Sequence, residues 1–103
     1  MAFYFLTIKK GEILALLLIP DGLQKLSKGK KELNISGMTF SALIGEIKVS
    51  FPELYERVFN KEGRPFPFVR IFVDGRDLVT LDPTKIVLQE NSKVQLLIAL
   101  AGG

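Results

Sequence analysis

The spacing of apolar residues changes twice along this chain, and that change limits its possible folds more than any other feature. After Thr39, the residues Phe40, Leu43, Ile44, Ile47 and Phe51 recur at the interval of one helical face. Before and after that stretch they recur at every second residue, the period of a strand. Thr39 carries the short hydroxyl that caps a helix N-terminus. Pro52 cannot continue the helix without losing a hydrogen bond, but it suits the first turn of a new one. The segment "PELYERVF" is therefore predicted as a second, shorter helix, closed by Asn60 to Gly63.

The flanking strands can be placed from the same alternation. "ILALLLIP", Ile13 to Pro20, is short, apolar on both pleat faces and stopped by Pro20, Asp21 and Gly22. It reads as a central strand, buried on both sides or facing a partner on one. The preceding "FYFLTI" can form a hairpin partner to it across the turn from Lys9 to Glu12. "KELNIS" supplies Leu33 and Ile35 at period two. From Phe68 onward, Val69, Ile71 and Val73 point one way and Arg70, Phe72 and Asp74 the other. Asp74-Gly75 is a hairpin turn that returns through "DLVTL". A short extended piece "KIVL", a turn at Asn91-Ser92 and a last strand "KVQLLIAL" complete the order. Strands, helix, then strands predict an α+β domain with one main helix packed across a mixed sheet. The expected division is residues 1–12 as an N-terminal extension or extra hairpin strand and residues 13–103 as the domain.

Composition narrows the chemistry. At 103 residues the chain is long enough for one core. It has no cysteine and no histidine, which removes disulfides, Cys/His metal sites, a thiol nucleophile and the usual general base together. Metal binding and triad-type catalysis are not expected. Glu53 and Glu56 are spaced as an ordinary exposed helix face and receive no role. The 14 Lys and Arg against 11 Asp and Glu give a net charge of +3, and Lys25, Lys28, Lys30 and Lys31 crowd into "KLSKGKK". A solvated loop and a partner or anion patch both fit that cluster. The apolar N-terminal run is interrupted by Lys9, Lys10, Gly11 and Glu12, so neither side reaches the ~20 residues of a spanning helix. A cytoplasmic protein with no membrane or nucleic-acid partner is the expectation.

The chain closes on "LLIALAGG". A glycine pair carries a large ordering cost and buries no side chain, so it adds nothing to stability. Chance places two glycines at a fixed position about once in 200 chains at ordinary glycine usage, and a cloning remnant is the other plain explanation. A terminus without Cβ atoms can, however, enter a narrow active site fully extended and present its α-carboxylate to another enzyme. Beside this tail, Leu97 and Phe72, with Ala99 and Leu78 nearby, fall on the sheet face away from the helix. That pattern fits a partner-binding patch or, with a register shifted by one residue, simple core packing.

Four stretches, "TFSALIGEI", "FPELYERVF", "NKEGRPFPFVRIFVDGRDL" and "NSKVQLLIALAGG", carry a family resemblance. Over about Ile13 to Gly103 the chain resembles the MoaD/ThiS-type sulfur carriers, the molybdopterin synthase small-subunit family of the ubiquitin-like β-grasp fold. The resemblance implies that Gly103 is adenylated on its carboxylate by a ubiquitin-activating-type adenylyltransferase and converted to a thiocarboxylate. Gly102 and Ala101 would supply the flexible reach. It further implies a non-catalytic chain that binds no cofactor itself, the ATP being used by the activating enzyme, and a sheet face that docks partners. In the molybdopterin branch the second partner is the synthase large subunit, where sulfur passes to a cyclic pyranopterin. The same adenylate also begins conjugation to protein lysines, so a ubiquitin-like modifier remains open beside the carrier. A basic β-grasp binding module would leave Gly102-Gly103 without a role. Against the family pattern, residues 1–12 are additional, Asn91-Ser92 replaces a common Asp-Gly, and the charge balance is basic rather than acidic.

Overall fold

The computed structural model describes residues 14–99. In it, β1 (Leu14–Leu18) leads through a 3-10 helix at Asp21–Ser27 into β2 (Glu32–Ser36). Helices α1 (Phe40–Ser50) and α2 (Pro52–Val58) follow, then β3 (Val69–Val73), β4 (Arg76–Asp77), two short 3-10 turns and β5 (Lys93–Ile98). The sheet order is β2-β1-β5-β3-β4. β1 and β5 run parallel in the middle, with Leu17 beside Val94, and the other neighbours are antiparallel.

Local chemistry explains the element ends. The Thr39 hydroxyl accepts a hydrogen bond from Ala42 N at 3.1 Å, so the expected N-cap is in place. Pro52 opens α2 directly from Phe51, the C-cap of α1. Asp74 and Gly75 take φ of +49° and +85°, the two positive values a tight two-residue hairpin requires. The Asp74 carboxylate then reaches across the sheet end, accepting from Lys93 N at 2.8 Å and from the Ser92 hydroxyl at 2.9 Å. That hydroxyl in turn accepts from Gln89 N at 2.9 Å. Buried Ser92 is thereby satisfied, and the hairpin is fastened to the start of β5.

One sheet face carries the core. Ala15 and Leu17 of β1, Leu33 and Ile35 of β2, Ile71 and Val73 of β3, and Val94 and Leu96 of β5 are all buried. Phe40, Leu43 and Ile47 of α1 and Leu54 and Val58 of α2 close over them. Each fully buried aliphatic side chain contributes about 1.5–3 kcal/mol of transfer free energy.

Two expectations change. "KLSKGKK" is not an open loop: its first half forms the 3-10 helix, ended by Lys28 at φ +60° and Gly29 at φ +79°. "DLVTL" does not return as a full strand, because β4 stops after two residues and the chain turns into a 3-10 turn at Leu78–Thr80. The proposed hairpin segment "FYFLTI" lies outside the described residues.

Asp77 governs that early turn. Its carboxylate accepts from Val79 N at 3.1 Å and pairs with Arg70. The Arg70 hydrogen bond first, and Val79 N second, hold its pKa below the ordinary aspartate value of 3.8. A depressed carboxylate pKa contributes stability above the unfolded value, and this is lost as pH falls through the folded value. We therefore expect an NMR titration midpoint for Asp77 below 3.8, rising toward 3.8 in Arg70→Gln. The stability difference between wild type and Asp77→Asn should shrink as the solution is acidified below pH 3.8. An unshifted midpoint would contradict the pairing.

Candidate docking face and tail exit

The helix-free face of the sheet is built from the alternate residues of the same strands. Register places Leu97 opposite Arg70 and Phe72 opposite Gln95, so Leu97 and Phe72 are diagonal neighbours on one face, within reach of long side chains. Leu97 is 39% exposed and Phe72 is half-buried. Ala99 is exposed, and its N–H donates to Phe68 O at 2.7 Å, extending the β5 ladder one residue beyond Ile98. Phe68, 46% exposed, stacks on Phe66 with ring centroids 5.3 Å apart. Arg70 bridges the patch, its guanidinium 5.7 Å from the centre of the Phe72 ring and its other contact the Asp77 carboxylate.

Leu78 does not join this face. It is buried at 8% exposure and belongs to the core, whereas the adjacent Val79 is 82% exposed. The reason is the register of the hairpin: Asp77 stands opposite Phe72 on the helix-free face, so the next residue, Leu78, falls on the core side with Ile71. Three residues that alternation alone did not assign complete the face. Leu14, Leu16 and Leu18 are half-buried on the side opposite Ala15 and Leu17. β1 is thus covered by helices on one side only. Its uniform leucine content hid which positions those were.

The tail residues Ala101, Gly102 and Gly103 lie outside the described residues. The point from which they depart is defined. β5 runs parallel to β1, with Gln95 beside Leu18, so the chain leaves β5 at the same end of the sheet as β1 enters its 3-10 helix. Phe68, Leu97 and Ala99 stand at that exit. Among the described residues no group of three or more Asp, Glu, His or Cys side chains is placed to hold a metal ion, and no helix is long and apolar enough to cross a membrane.

Architecture and comparison agree on the class. A parallel pair of central strands, a crossover through α1 and the short hairpin edge form a ubiquitin-like β-grasp. No protein-family model matches the chain. The sulfur carrier protein CysO of Mycobacterium tuberculosis is 28% identical over 87 residues, covering 82% of this chain and 94% of the relative. The crystal structure of CysO complexed with BexX from Amycolatopsis orientalis aligns at TM-score 0.75 and 20% identity, over 86% of this chain and 99% of that one. The small archaeal modifier protein 1 of Methanosarcina acetivorans aligns at TM-score 0.75 and 17% identity, over 91% and 100%. The fold is the ubiquitin-like β-grasp, and the curated relatives that the chain resembles in sequence are sulfur carrier proteins.

Proposed function

We propose that this carrier holds sulfur as a thiocarboxylate on Gly103. The Gly103 carboxylate attacks ATP on an adenylating enzyme, releasing pyrophosphate, and a sulfur nucleophile then displaces AMP from the acyl-adenylate. Gly102 and Ala101 let the chain enter a narrow site, since the glycine lacks a Cβ and the alanine has only a methyl. Leu97, Phe72 and Ala99, with Phe68 and the β1 leucines, form the surface on which the adenylating enzyme and the sulfur-accepting enzyme dock. The observation that carries this reading is the juxtaposition of an apolar helix-free face with the strand end that runs directly into Gly102-Gly103. A solvated sheet face has no reason to cluster Phe68, Phe72 and Leu97 there.

The acceptor we propose is the pyranopterin of molybdenum or tungsten cofactor synthesis, met in the catalytic large subunit of a molybdopterin synthase. It rests on the resemblance of "TFSALIGEI" and the Gly-Gly tail. Conjugation to lysines is the second reading, favoured by the likeness in fold to a protein named as a modifier.

The test is the intact mass of the chain after incubation with an adenylating enzyme, ATP and a sulfur donor. Exchange of one terminal oxygen for sulfur supports the carrier, and its reversal on adding the pterin precursor and the large subunit supports that acceptor. A ladder of lysine-linked conjugates without thiocarboxylate would replace the proposal with the modifier. Leu97→Asp should slow thiocarboxylate formation at least about tenfold while the melting temperature stays within a few degrees, because a side chain 39% exposed contributes little to the core.

A further inference from the structure

The lysine cluster has a definite position and shape. Lys25 lies on the 3-10 helix and Lys28, Lys30 and Lys31 on the turn after it, and all four are exposed. The turn is held by backbone and buried groups rather than by the lysine side chains. Gly29 N donates to Gln24 O at 2.7 Å and Lys30 N to Ser27 O at 3.2 Å. The hydroxyl of Ser27, fully buried, sits 2.9 Å from Gln24 O and 2.8 Å from Lys30 O. Lys31 O accepts from Ile19 N at 2.8 Å, which joins the turn to the end of β1. The cationic groups are therefore displayed on a rigid support.

Topology puts that support at the tail exit. β1 ends beside Gln95, and β5 continues in the same direction to Ile98. The turn that follows β1 and precedes β2 thus stands at the end of the sheet where the chain runs toward Gly103. Asp21 and Glu32 are the acidic residues along this segment, Asp21 being occupied by Gln24 Nε2 at 3.1 Å. The only ion pair among the described residues joins Arg70 to Asp77, so none of the described carboxylates pairs with the four ammonium groups. Lys28 rests 5.9 Å from the Phe51 ring centre, and Lys25, Lys30 and Lys31 make no such contact among the described residues.

We infer that this turn is an electrostatic guide for the acidic rim of the enzyme that takes the tail. The inference rests on the sulfur-carrier reading and adds the charge of the partner. A protein surface is favoured over nucleic acid because the cluster shares its end of the sheet with the apolar exit formed by Phe68, Leu97 and Ala99. A polar, charged border around an apolar centre is the pattern of a protein interface. Charges at such a border act mainly on the association rate, which they raise by about 10- to 1,000-fold at low salt.

The test compares Lys30→Gln/Lys31→Gln with Arg76→Gln/Lys85→Gln, whose exposed charges lie toward the opposite end of the sheet. Each double variant lowers the net charge from +3 to +1, since 3 − 2 = 1. The readout is kcat/KM for thiocarboxylate formation by the adenylating enzyme that processes the wild-type chain, measured from low to high salt. Lys30→Gln/Lys31→Gln should fall about tenfold at low salt, converge with wild type at high salt and keep its kcat. Arg76→Gln/Lys85→Gln should track wild type. Equal losses in both pairs, or none in the first, would overturn the guide while leaving the carrier reading intact. A wild-type chain that no adenylating enzyme accepts would overturn both. Tight binding of a single-stranded oligoribonucleotide by wild type, lost in Lys30→Gln/Lys31→Gln with activation unchanged, would reassign the turn to nucleic acid.

Discussion

Deletion of Gly103 is expected to abolish thiocarboxylate formation without changing the melting temperature. Both halves of that expectation come from position. Among the described residues every buried core residue falls between Ala15 and Leu96, and a glycine has no side chain to bury. Removing it draws the carboxylate back by one residue, about 3.3–3.6 Å of extended chain. Misplacement of a reacting group by about 1 Å already costs on the order of a hundredfold, so a larger loss is expected here. Intact mass spectrometry reads the activation, and thermal unfolding reads the fold. Gly103→Ala should fail similarly, because its new methyl meets a site shaped for a bare glycine. Either variant accumulating thiocarboxylate at the wild-type rate would contradict the assignment of Gly103.

The largest effect on stability is expected from Leu43→Ala. Leu43 is wholly buried at the centre of α1, above the strands, and its removal leaves a cavity that helix and sheet cannot collapse to fill. The cost is about 2–5 kcal/mol, a large share of the roughly 5–15 kcal/mol that stabilises a domain. At about 4–8 °C per kcal/mol in a domain of this size, thermal unfolding should drop by roughly 10–40 °C. Gly37 tests the same contact from the other side. A Cβ there would stand 2.8 Å from Leu43 N and 3.0 Å from its Cα, backbone atoms that cannot move aside without disturbing α1. Gly37→Ala should therefore cost about 1–3 kcal/mol, and shortening Leu43 should not relieve it. Gly45, with nothing within 4 Å of its Cβ position, should instead gain up to about 1 kcal/mol as Ala. Gly37→Ala and Gly45→Ala behaving alike in a melt would refute the packing described.

Several features of the fold are legible in the residue order alone. The Thr39 cap, the α1 face, the Pro52 start of α2, the Asp74-Gly75 hairpin and the alternation of β5 each depend on residues within four positions of one another. Periodicity and turn chemistry report such short-range preferences directly. Leu97 and Phe72 could be placed on one face because β3 and β5 alternate cleanly. Leu78, expected near that face, lies in the core instead, because its side follows from the β3–β4 register that sets Asp77 opposite Phe72. The leucines of β1 resisted assignment for a different reason: where every residue is apolar, alternation carries no signal, and only the helices above decide which side is covered.

The sequence alone determined the succession of elements, the α+β class and the glycine pair, through local backbone preference and side-chain spacing. The tertiary structure decided which strands pair, which side of β1 lies open, and that the lysine turn stands at the end from which the tail departs. Those outcomes rest on contacts between residues dozens of positions apart, such as Leu17 with Val94, and the free energy that selects them is released only when helices and sheet close on one core.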